Sequence, residues 1–449
     1  MAHEGLLTLL ACLEVLRPGL TAPSFSNLVV LFTGWLRTSG THAVTQALVE
    51  TSVAGRRHHE AFHRFFSRGT WNPDALGHLL FQALLGLMPP GGVLRIVVDD
   101  TLAPKKGPHV FGLGSHLDAV RSTRRHKVFA FGHCWVTLAV LLPMPFSSRI
   151  WALPVLFRLY RNKKECEKKA HAYRKKTQLA RELVDTLVRW AGDRRIEVSM
   201  DFAYCNDTMT RGLPKNVVVF GAMRPDAVLT EPPPARRRGQ GGRPRVRGQV
   251  LPKPEALAQD ERQPWKHCEA QLYGKQQRIA YKTCVAQWYR ACGERLLRVV
   301  VVRVEEGSIG FRVFFSTDPS LSVRQILEGY ASRWAIEVCF RDMKQLLGFA
   351  DSSARKRAAV ERVAPFVGFS YSVLVLWFAQ GAYQSSFATP PLRPWYAHKR
   401  GMSFADILRA AQRALATVDV LDLASEFNNL HKTRARCSRP SAAAFKRVA

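Results

Sequence analysis

The chain has 449 residues, of which 66 are Lys or Arg and 35 are Asp or Glu, so its formal net charge is +31 at pH 7. Hydrophobic residues make up 47%, the share of a globular protein, which excludes a disordered basic tail. The positive charge predicts a polyanionic partner, with DNA or RNA first and an anionic membrane second. The nine cysteines are odd in number and irregularly spaced, so we expect neither a disulfide framework nor a zinc site.

Residues 1–90 are predicted to be helical, because apolar residues recur at helical spacing through FSNLVVLFTGWL and FQALLGLM. The N-terminus lacks the basic start and long apolar core of a signal peptide, so we expect a cytoplasmic, nucleoid-associated protein. Between the two apolar runs, RRHHEAFHRFFSRGTW mixes basic and aromatic residues. This mixture suits either a helix that faces DNA or an ordinary amphipathic helix, and both alternatives stay open.

From Val93 onward the pattern changes to strands. Strands are predicted at VLRIVVDDT, VFAFGHCWVTLAVLL and RIWALPVLFRLY, then a helix at about 169–193, then strands at IEVSMDFAY and NVVVFGAM. This order indicates an α/β layer. Asp99 and Asp100 are expected to end the first strand and Asp201 a later one, so acids would gather at strand ends.

Residues 231–249 carry six arginines among Pro and Gly and predict an exposed loop or linker. Its GGRPR segment, with Arg243 and Arg245, resembles a hook that binds the DNA minor groove. A solvated basic linker is the alternative. Strands are expected again at LLRVVVVRV and FRVFFSTD, followed by helices. The uncharged stretch 363–380 approaches the length of a membrane span, but a buried core helix is the preferred interpretation.

The run EGYASRWAIEVCFRDMKQLLGF contains Tyr330, Arg333, Glu337 and Lys344. At about 100° per residue, these four side chains fall within roughly 60° of one another on a single helix. A carboxylate can hold a divalent metal, and the two cations can bind phosphate oxygens. The alternative is a salt-bridged surface, because Arg333 and Glu337 are an i,i+4 pair. Brought together, Asp100, Asp201 and Glu337 could hold two divalent cations about 3.5–4 Å apart.

Three motifs, VVDDT, SMDFAY and Y-x2-R-x3-E-x6-K, resemble the DDE transposases of bacterial insertion sequences. The resemblance is to the insertion-sequence-four-like group with its Y-R-E-K signature, and it covers roughly residues 25–380. It implies an α/β protein with a ribonuclease-H-like catalytic core. The implied division is a helical N-terminal DNA-binding region 1–90, a first core part 91–230, a basic insertion domain 231–295 between the second Asp and the Glu, a second core part 296–380 with the catalytic helix, and a helical C-terminal region 381–449.

The resemblance also implies a function. The protein would be a transposase that binds terminal inverted repeats and catalyses metal-dependent DNA cleavage and strand transfer. Asp100, Asp201 and Glu337 would be the catalytic metal ligands, for two Mg²⁺ ions with Mn²⁺ as the alternative. Asp99 is the rival of Asp100, because neighbouring strand residues point to opposite faces. Tyr204 is expected to pack beneath the site.

The implied partners are double-stranded DNA, as transposon ends and as target, and a second copy of the chain in a synaptic complex, with no membrane. Tyr330, Arg333 and Lys344 would contact phosphates at the transposon end, with Arg243 and Arg245 as further DNA-binding residues. Two other functions stay open. One is a catalytically inactive DNA-binding protein derived from a transposase, and the other is a metal-dependent endonuclease without strand transfer.

Overall fold

The computed structural model describes residues 2–420 except 119, 124, 169, 237–240, 304–309, 397–398, 400 and 417–418. The described residues divide into two compact units. One unit lies within Phe81–Asp342, and the other combines the described residues of Met1–Leu80 and Met343–Ala449.

The strands in the described part of the chain are β1 Leu94–Pro104, β2 Gly114–Leu117, β3 Phe129–Met144, β4 Ser147–Tyr160, β5 Ile196–Met200, β6 Val217–Ala222, β7 Lys266–Leu272, β8 Lys275–Gln287, β9 Leu296–Arg303 and β10 Phe311–Ser316. The α-helices there are α1 Ala2–Glu14, α2 Ala22–Arg37, α3 Val44–Glu50, α4 Glu60–Ser67, α5 Pro73–Leu85, α6 Lys163–Lys168, α7 Lys176–Ala191, α8 Asp207–Thr210, α9 Pro254–Gln259, α10 Tyr289–Cys292, α11 Val323–Ala331, α12 Trp334–Leu346, α13 Arg357–Ala379 and α14 Phe404–Leu415.

The strands of the described residues form one ten-stranded mixed sheet, in the order β2-β3-β1-β5-β6-β10-β9-β8-β7, with β4 paired to β3. β1, β5 and β6 are parallel, and β3 runs antiparallel to β1. The predicted α/β layer is therefore confirmed. Its central strands are formed by the β-branched and apolar runs of the sequence. These runs suit the position because the central strands are buried on both faces.

Two details of the sheet differ from the sequence-based expectation. β1 does not end at its acids but continues to Pro104, because β3 pairs with it from Val140 down to Gly132. The polar stretch after residue 250, which gave no clear pattern, forms the β7–β8 hairpin and extends the sheet. Four of the seven residues of β7 and the first four residues of β8 are exposed, so the hairpin near its turn carries little of the apolar alternation that predicts a strand.

The other unit is helical and has its own core. Phe62, Phe65 and Phe66 of α4 are buried, and Arg362 of α13 donates to the carbonyl oxygen of Phe66 at 2.9 Å. The aromatic residues between the first two apolar helices therefore pack inside, as expected of an amphipathic helix. α13 is the one helix of the described residues that is long and apolar enough to cross a membrane, and it is mostly buried. It lies in this unit, whereas the sequence had suggested the sheet-containing core for residues up to 380.

Candidate active site

The two adjacent acids of β1 point to opposite faces of the sheet. The carboxylate of Asp99 accepts a hydrogen bond from Nη1 of Arg333 at 3.1 Å. The carboxylate of Asp100 contacts Nζ of Lys176 at 2.6 Å and accepts from the hydroxyl of Tyr204 at 2.6 Å. Because successive strand residues alternate between faces, only one of the two can face the segment that carries Glu337. In this structure it is Asp99.

Asp201 follows β5 directly and stands beside Asp99. Val98 pairs with Met200 in parallel register, so the next position along both strands places Asp99 and Asp201 side by side on one face. Ser199 lies on this face too, and its hydroxyl donates to the carbonyl oxygen of Gly329 at 2.8 Å. The loop after β5 therefore presents its acid on the side of the sheet that α11 covers.

Glu337 lies in the first turn of α12, and its Oε1 is 2.8 Å from Nη2 of Arg333. Arg333 itself lies between two helices, since α11 ends at Ala331 and α12 begins at Trp334. The single continuous helix predicted for this signature is wrong. The Ser332 hydroxyl donates to the carbonyl oxygen of Gly329 at 2.6 Å and holds the turn that separates the two helices.

Arg333 is thus a shared counter-ion for Asp99 and Glu337. Burial, then the charges of Asp100 and Asp201, raise the pKa of Asp99 to about 7, although Arg333 opposes the shift. Burial alone would lower the pKa of Arg333, but the carboxylates of Asp99 and Glu337 outweigh burial and raise it. The guanidinium therefore stays charged, whereas burial makes the ionised form of the Asp99 carboxyl group costly.

The chemistry of this donor set fits a divalent metal, because three carboxylates offer the oxygen ligands that Mg²⁺ prefers. Among the described residues, however, no group of three or more His, Cys, Asp or Glu side chains lies close enough to hold a metal ion. Arg333 stands between Asp99 and Glu337 instead. Pairing with Arg333 and sharing a metal are therefore competing arrangements of these two carboxylates.

On the opposite face, Asp100 belongs to a buried polar network. Besides Lys176 and Tyr204, Sγ of Cys134 contacts its carboxylate at 3.3 Å. Burial and the Asp100 charge raise the pKa of Tyr204, which keeps the phenol protonated as a donor. Tyr204 lies three residues after Asp201, so its hydrogen bond ties the turn that carries Asp201 to β1. Tyr204 was expected beneath the site, but the sequence gave no signal for Lys176.

Two histidines near the first strands, His116 and His133, are buried. His116 is 7% and His133 is 4% exposed. Nε2 of His133 lies 2.9 Å from the carbonyl oxygen of Phe111. Burial lowers the pKa of each to about 4, so both are neutral at pH 7.

The predicted DNA-binding residues lie in different settings. The Tyr330 ring packs on Phe314 at 4.7 Å, and burial raises its pKa to about 12. Lys344 is half-buried on α12, seven positions after Glu337. Arg243 and Arg245 are exposed in the loop that the sequence predicted, while two of its other arginines, at positions 237 and 238, lie outside the described residues.

Two exposed aromatic residues near Arg333 were not singled out from the sequence. Trp334 is 50% and Tyr273, at the β7–β8 turn, is 62% exposed. Their ring centroids are 6.2 Å apart in an edge-to-face arrangement. Large exposed rings are uncommon in a protein whose aromatic residues are mostly buried, and they give this face of the site an apolar surface.

Comparison with known proteins gives two family matches. The model described as "DDE superfamily endonuclease" matches residues 15–290, more than half of the chain. The model described as "Archaeal putative transposase ISC1217" matches residues 293–384. No curated protein matches. Among solved structures, the cryo-EM structure of the piggyBac transposase synaptic complex with hairpin DNA matches with a TM-score of 0.46 and 9% identity, over 94% of this chain and 74% of that chain.

Proposed function

The chain belongs to the DDE superfamily of endonucleases, and on that premise we propose that it is an insertion-sequence transposase of the insertion-sequence-four-like group. Its proposed reactions are metal-dependent cleavage at terminal inverted repeats and transfer of the cut strand to target DNA. One observation carries the proposal. Acids from β1 and α12, far apart in sequence, meet on one guanidinium at 3.1 and 2.8 Å, with Asp201 in the neighbouring register position.

A ribonuclease-H-like core is part of the proposal. The strand order β4-β3-β1-β5-β6, with β3 antiparallel and β1, β5 and β6 parallel, supports it. The segment between β6 and β9, which includes the β7–β8 hairpin, would be the insertion between the second acid and Glu337. The position of the acids on the central parallel strands is where such a core would carry them.

We propose Asp99, Asp201 and Glu337 as the catalytic acids, and Asp99 in preference to Asp100. Asp99 faces Glu337 through Arg333, whereas Lys176 and Tyr204 already occupy the Asp100 carboxylate. Divalent cations held by the three acids, Mg²⁺ or Mn²⁺, would activate the attacking water or 3′-hydroxyl and stabilise the leaving 3′-oxygen. Asp100 then acts by position, since it anchors the turn that presents Asp201.

The cationic and aromatic residues would handle the DNA. Arg333 can exchange its carboxylate partners for phosphate oxygens, because a guanidinium binds both in the same forked geometry. Lys344, Arg243 and Arg245 would add phosphate contacts, and Tyr330 a hydroxyl. A base extruded next to the cleavage site would find an aromatic surface on Trp334 and Tyr273, which supports such extrusion. The chain would act as a homodimer that pairs two ends in the bacterial cytoplasm.

The experiment is a cleavage and strand-transfer assay on a labelled duplex that carries the inverted repeat flanking the gene. Wild type is compared with Glu337→Gln, in Mg²⁺ and in EDTA. Glu361→Gln is the matched control, because Glu361 pairs with Arg357 on the surface of α13, away from the proposed acids in sequence. The expected result is metal-dependent nicking at the repeat boundary that Glu337→Gln abolishes, while DNA binding and the control remain normal.

Two outcomes would replace the proposal. Tight binding without cleavage in Mg²⁺ or Mn²⁺ would identify a catalytically inactive DNA-binding protein. Asp99 and Glu337 would then stay paired with Arg333 and would not bind metal. Metal-dependent cleavage that ignores the end sequence and gives no joined product would identify an endonuclease without strand transfer.

A further inference from the structure

The hairpin formed by β2 and β3 projects beyond the central strands. β1 ends at Pro104 opposite Gly132. β3 extends further, to Phe129, where it pairs with Leu117 of β2. The described residues of the connection between the two strands, within 118–128, lie at the far end of this projection.

The hairpin exposes a cluster of large apolar side chains on one face. Phe129 is 65%, Phe131 is 63% and Leu117 is 46% exposed. Residues two apart on a strand, and residues paired directly across two strands, share a face, so these three lie together. Among the described phenylalanines, Phe202 is the only other exposed one. A cluster of this kind marks an interaction surface rather than a scattered exposed residue.

This apolar face is also the face of Asp99. Asp99 pairs with Thr137 of β3, and the register is regular from there to Gly132. Strand alternation therefore places Phe131 and Phe129 on the same side of the sheet as Asp99. Phe131 lies six positions from Thr137, which corresponds to about 20 Å along the strand. A molecule bound at the proposed catalytic acids and extending along β3 would reach the cluster.

The tip of the hairpin is held in shape by its own hydrogen bonds. The carboxylate of Asp118 accepts from the backbone N–H groups of Val120 and Arg121 at 3.1 and 3.2 Å. The backbone N–H of Asp118 donates to the carbonyl oxygen of Val128 at 2.8 Å. These bonds pair the backbone groups of Asp118, Val120 and Arg121, so ordering these residues on binding would cost little entropy.

The charge of the tip is strongly positive. Between Leu117 and Phe129 the sequence has three arginines and a lysine against one acid, Asp118. That acid serves the turn, and Nε of Arg121 is 3.7 Å from it. Arg125 and Lys127 are exposed. Exposed aromatic residues bordered by such cations suit a polyanion that also offers flat apolar surface, which describes DNA rather than a second copy of this basic chain.

We propose that the β2–β3 hairpin is a wedge that bends the DNA duplex being cut. Phe129 and Phe131 enter a base step and partly unstack it, as inserted apolar side chains do, while Arg125 and Lys127 hold neighbouring phosphates. The bend would lie about 20 Å from the catalytic acids, which is the distance along β3. The inference deepens the proposed function and rests on it for the identity of the duplex.

The test measures bending and not cleavage. The full chain binds the inverted-repeat duplex, labelled at both ends for energy transfer, in EDTA. Phe129→Ser combined with Phe131→Ser should abolish the bend and raise Kd about tenfold, the loss expected for a stacked base. Trp395→Ser is the control, because Trp395 is 83% exposed and lies outside the hairpin. It should bend DNA as wild type does.

A second variant tests the cations independently of the rings. Arg125→Gln combined with Lys127→Gln should reduce the slope of log K against log salt by about 1.8, at about 0.9 for each lost phosphate contact. Normal bending and affinity in the phenylalanine variant would overturn the proposal. Loss of self-association in that variant, with unchanged bending, would assign the cluster to an interface between two copies. Because EDTA prevents cleavage in every arm, a failure of catalysis would not mimic either result.

Discussion

The sharpest prediction compares two identical chemical changes at neighbouring positions, Asp99→Asn and Asp100→Asn. Each replaces a carboxyl group with a neutral amide and keeps the size of the side chain. The structure gives the two acids opposite surroundings, since Asp99 shares Arg333 with Glu337 and Asp100 is held by Lys176 and Tyr204. The two variants should therefore separate activity from stability.

Asp100→Asn should destabilise the protein. Hydrogen bonds to charged groups contribute about 1.5–3 kcal/mol each, and breaking one partner of a buried ion pair costs about 3–5 kcal/mol. Lys176 keeps 36% of its side chain exposed, so water offsets part of its loss, and the asparagine oxygen can still accept from Tyr204. We expect a decrease of about 2–3 kcal/mol in the free energy of unfolding, or roughly 4–10 °C in Tm.

Asp99→Asn should not lower stability at pH 7, because the neutral amide avoids the cost of ionising a buried carboxyl group whose pKa is raised to about 7, which offsets the lost contact with Arg333. Arg333 also retains Glu337. The cleavage activity of the Asp99→Asn variant should nevertheless vanish. Differential scanning calorimetry in EDTA measures the first quantity and the cleavage assay the second. If Asp100→Asn kept wild-type stability and lost all cleavage, while Asp99→Asn still cut DNA, the assignment of the two faces would be refuted.

Three further predictions concern the same network. Tyr204→Phe leaves a partly buried carboxylate oxygen of Asp100 with one partner fewer, so Tm should fall by an amount equivalent to about 1–2 kcal/mol. The value of kcat should fall as well, while KM for DNA should stay unchanged. Arg333→Ala frees Asp99 and Glu337, so Mn²⁺ should bind more tightly in the absence of DNA, as electron paramagnetic resonance titration would show; equal or weaker binding would contradict the competition. The pKa of Asp99 is raised to about 7 in the folded chain, above its unfolded value of about 3.9, so the free energy of unfolding should fall as pH rises from about 4 to about 7, by at most about 4 kcal/mol. Asp99→Asn should flatten that decline in urea titrations, and an unchanged slope would exclude Asp99 as its source.

The central strands could be predicted from the sequence because burial on both faces leaves a continuous apolar signal. The positions of β1 and β5, and with them three candidate acids, could therefore be predicted from the runs VLRIVVDDT and IEVSMDFAY. The choice between Asp99 and Asp100 could not be made, since it depends on the register between β1 and β5, which single-strand patterns do not encode. The observed pair Val98–Met200 fixes that register.

Local breaks and edge strands escaped prediction for a different reason. The helical periodicity around Tyr330 and Glu337 continues across Ser332, so the sequence indicated one helix, but the Ser332 side chain bonds the backbone of the preceding turn and a new helix starts at Trp334. Ser and Thr compete with helix hydrogen bonds in this way. β7 and β8 were missed because the residues near their turn are mostly exposed and need not alternate between polar and apolar.

The charge around β1 gives a physical reason for a metal at this site that does not depend on the family. Four carboxylates meet two cationic side chains here, namely those of Asp99, Asp100, Asp201 and Glu337 with those of Arg333 and Lys176. The chain as a whole has a net charge of +31, whereas this cluster has more carboxylates than cationic side chains. Burial first, and then the charge of Asp100, raise the pKa of Asp99 to about 7 against the opposing charge of Arg333. A phosphate group could approach these carboxylates only if additional positive charge lay between the phosphate and the carboxylates. Divalent cations bound by the carboxylates would supply that charge. Further arginines could not supply it without displacing the carboxylates from the site.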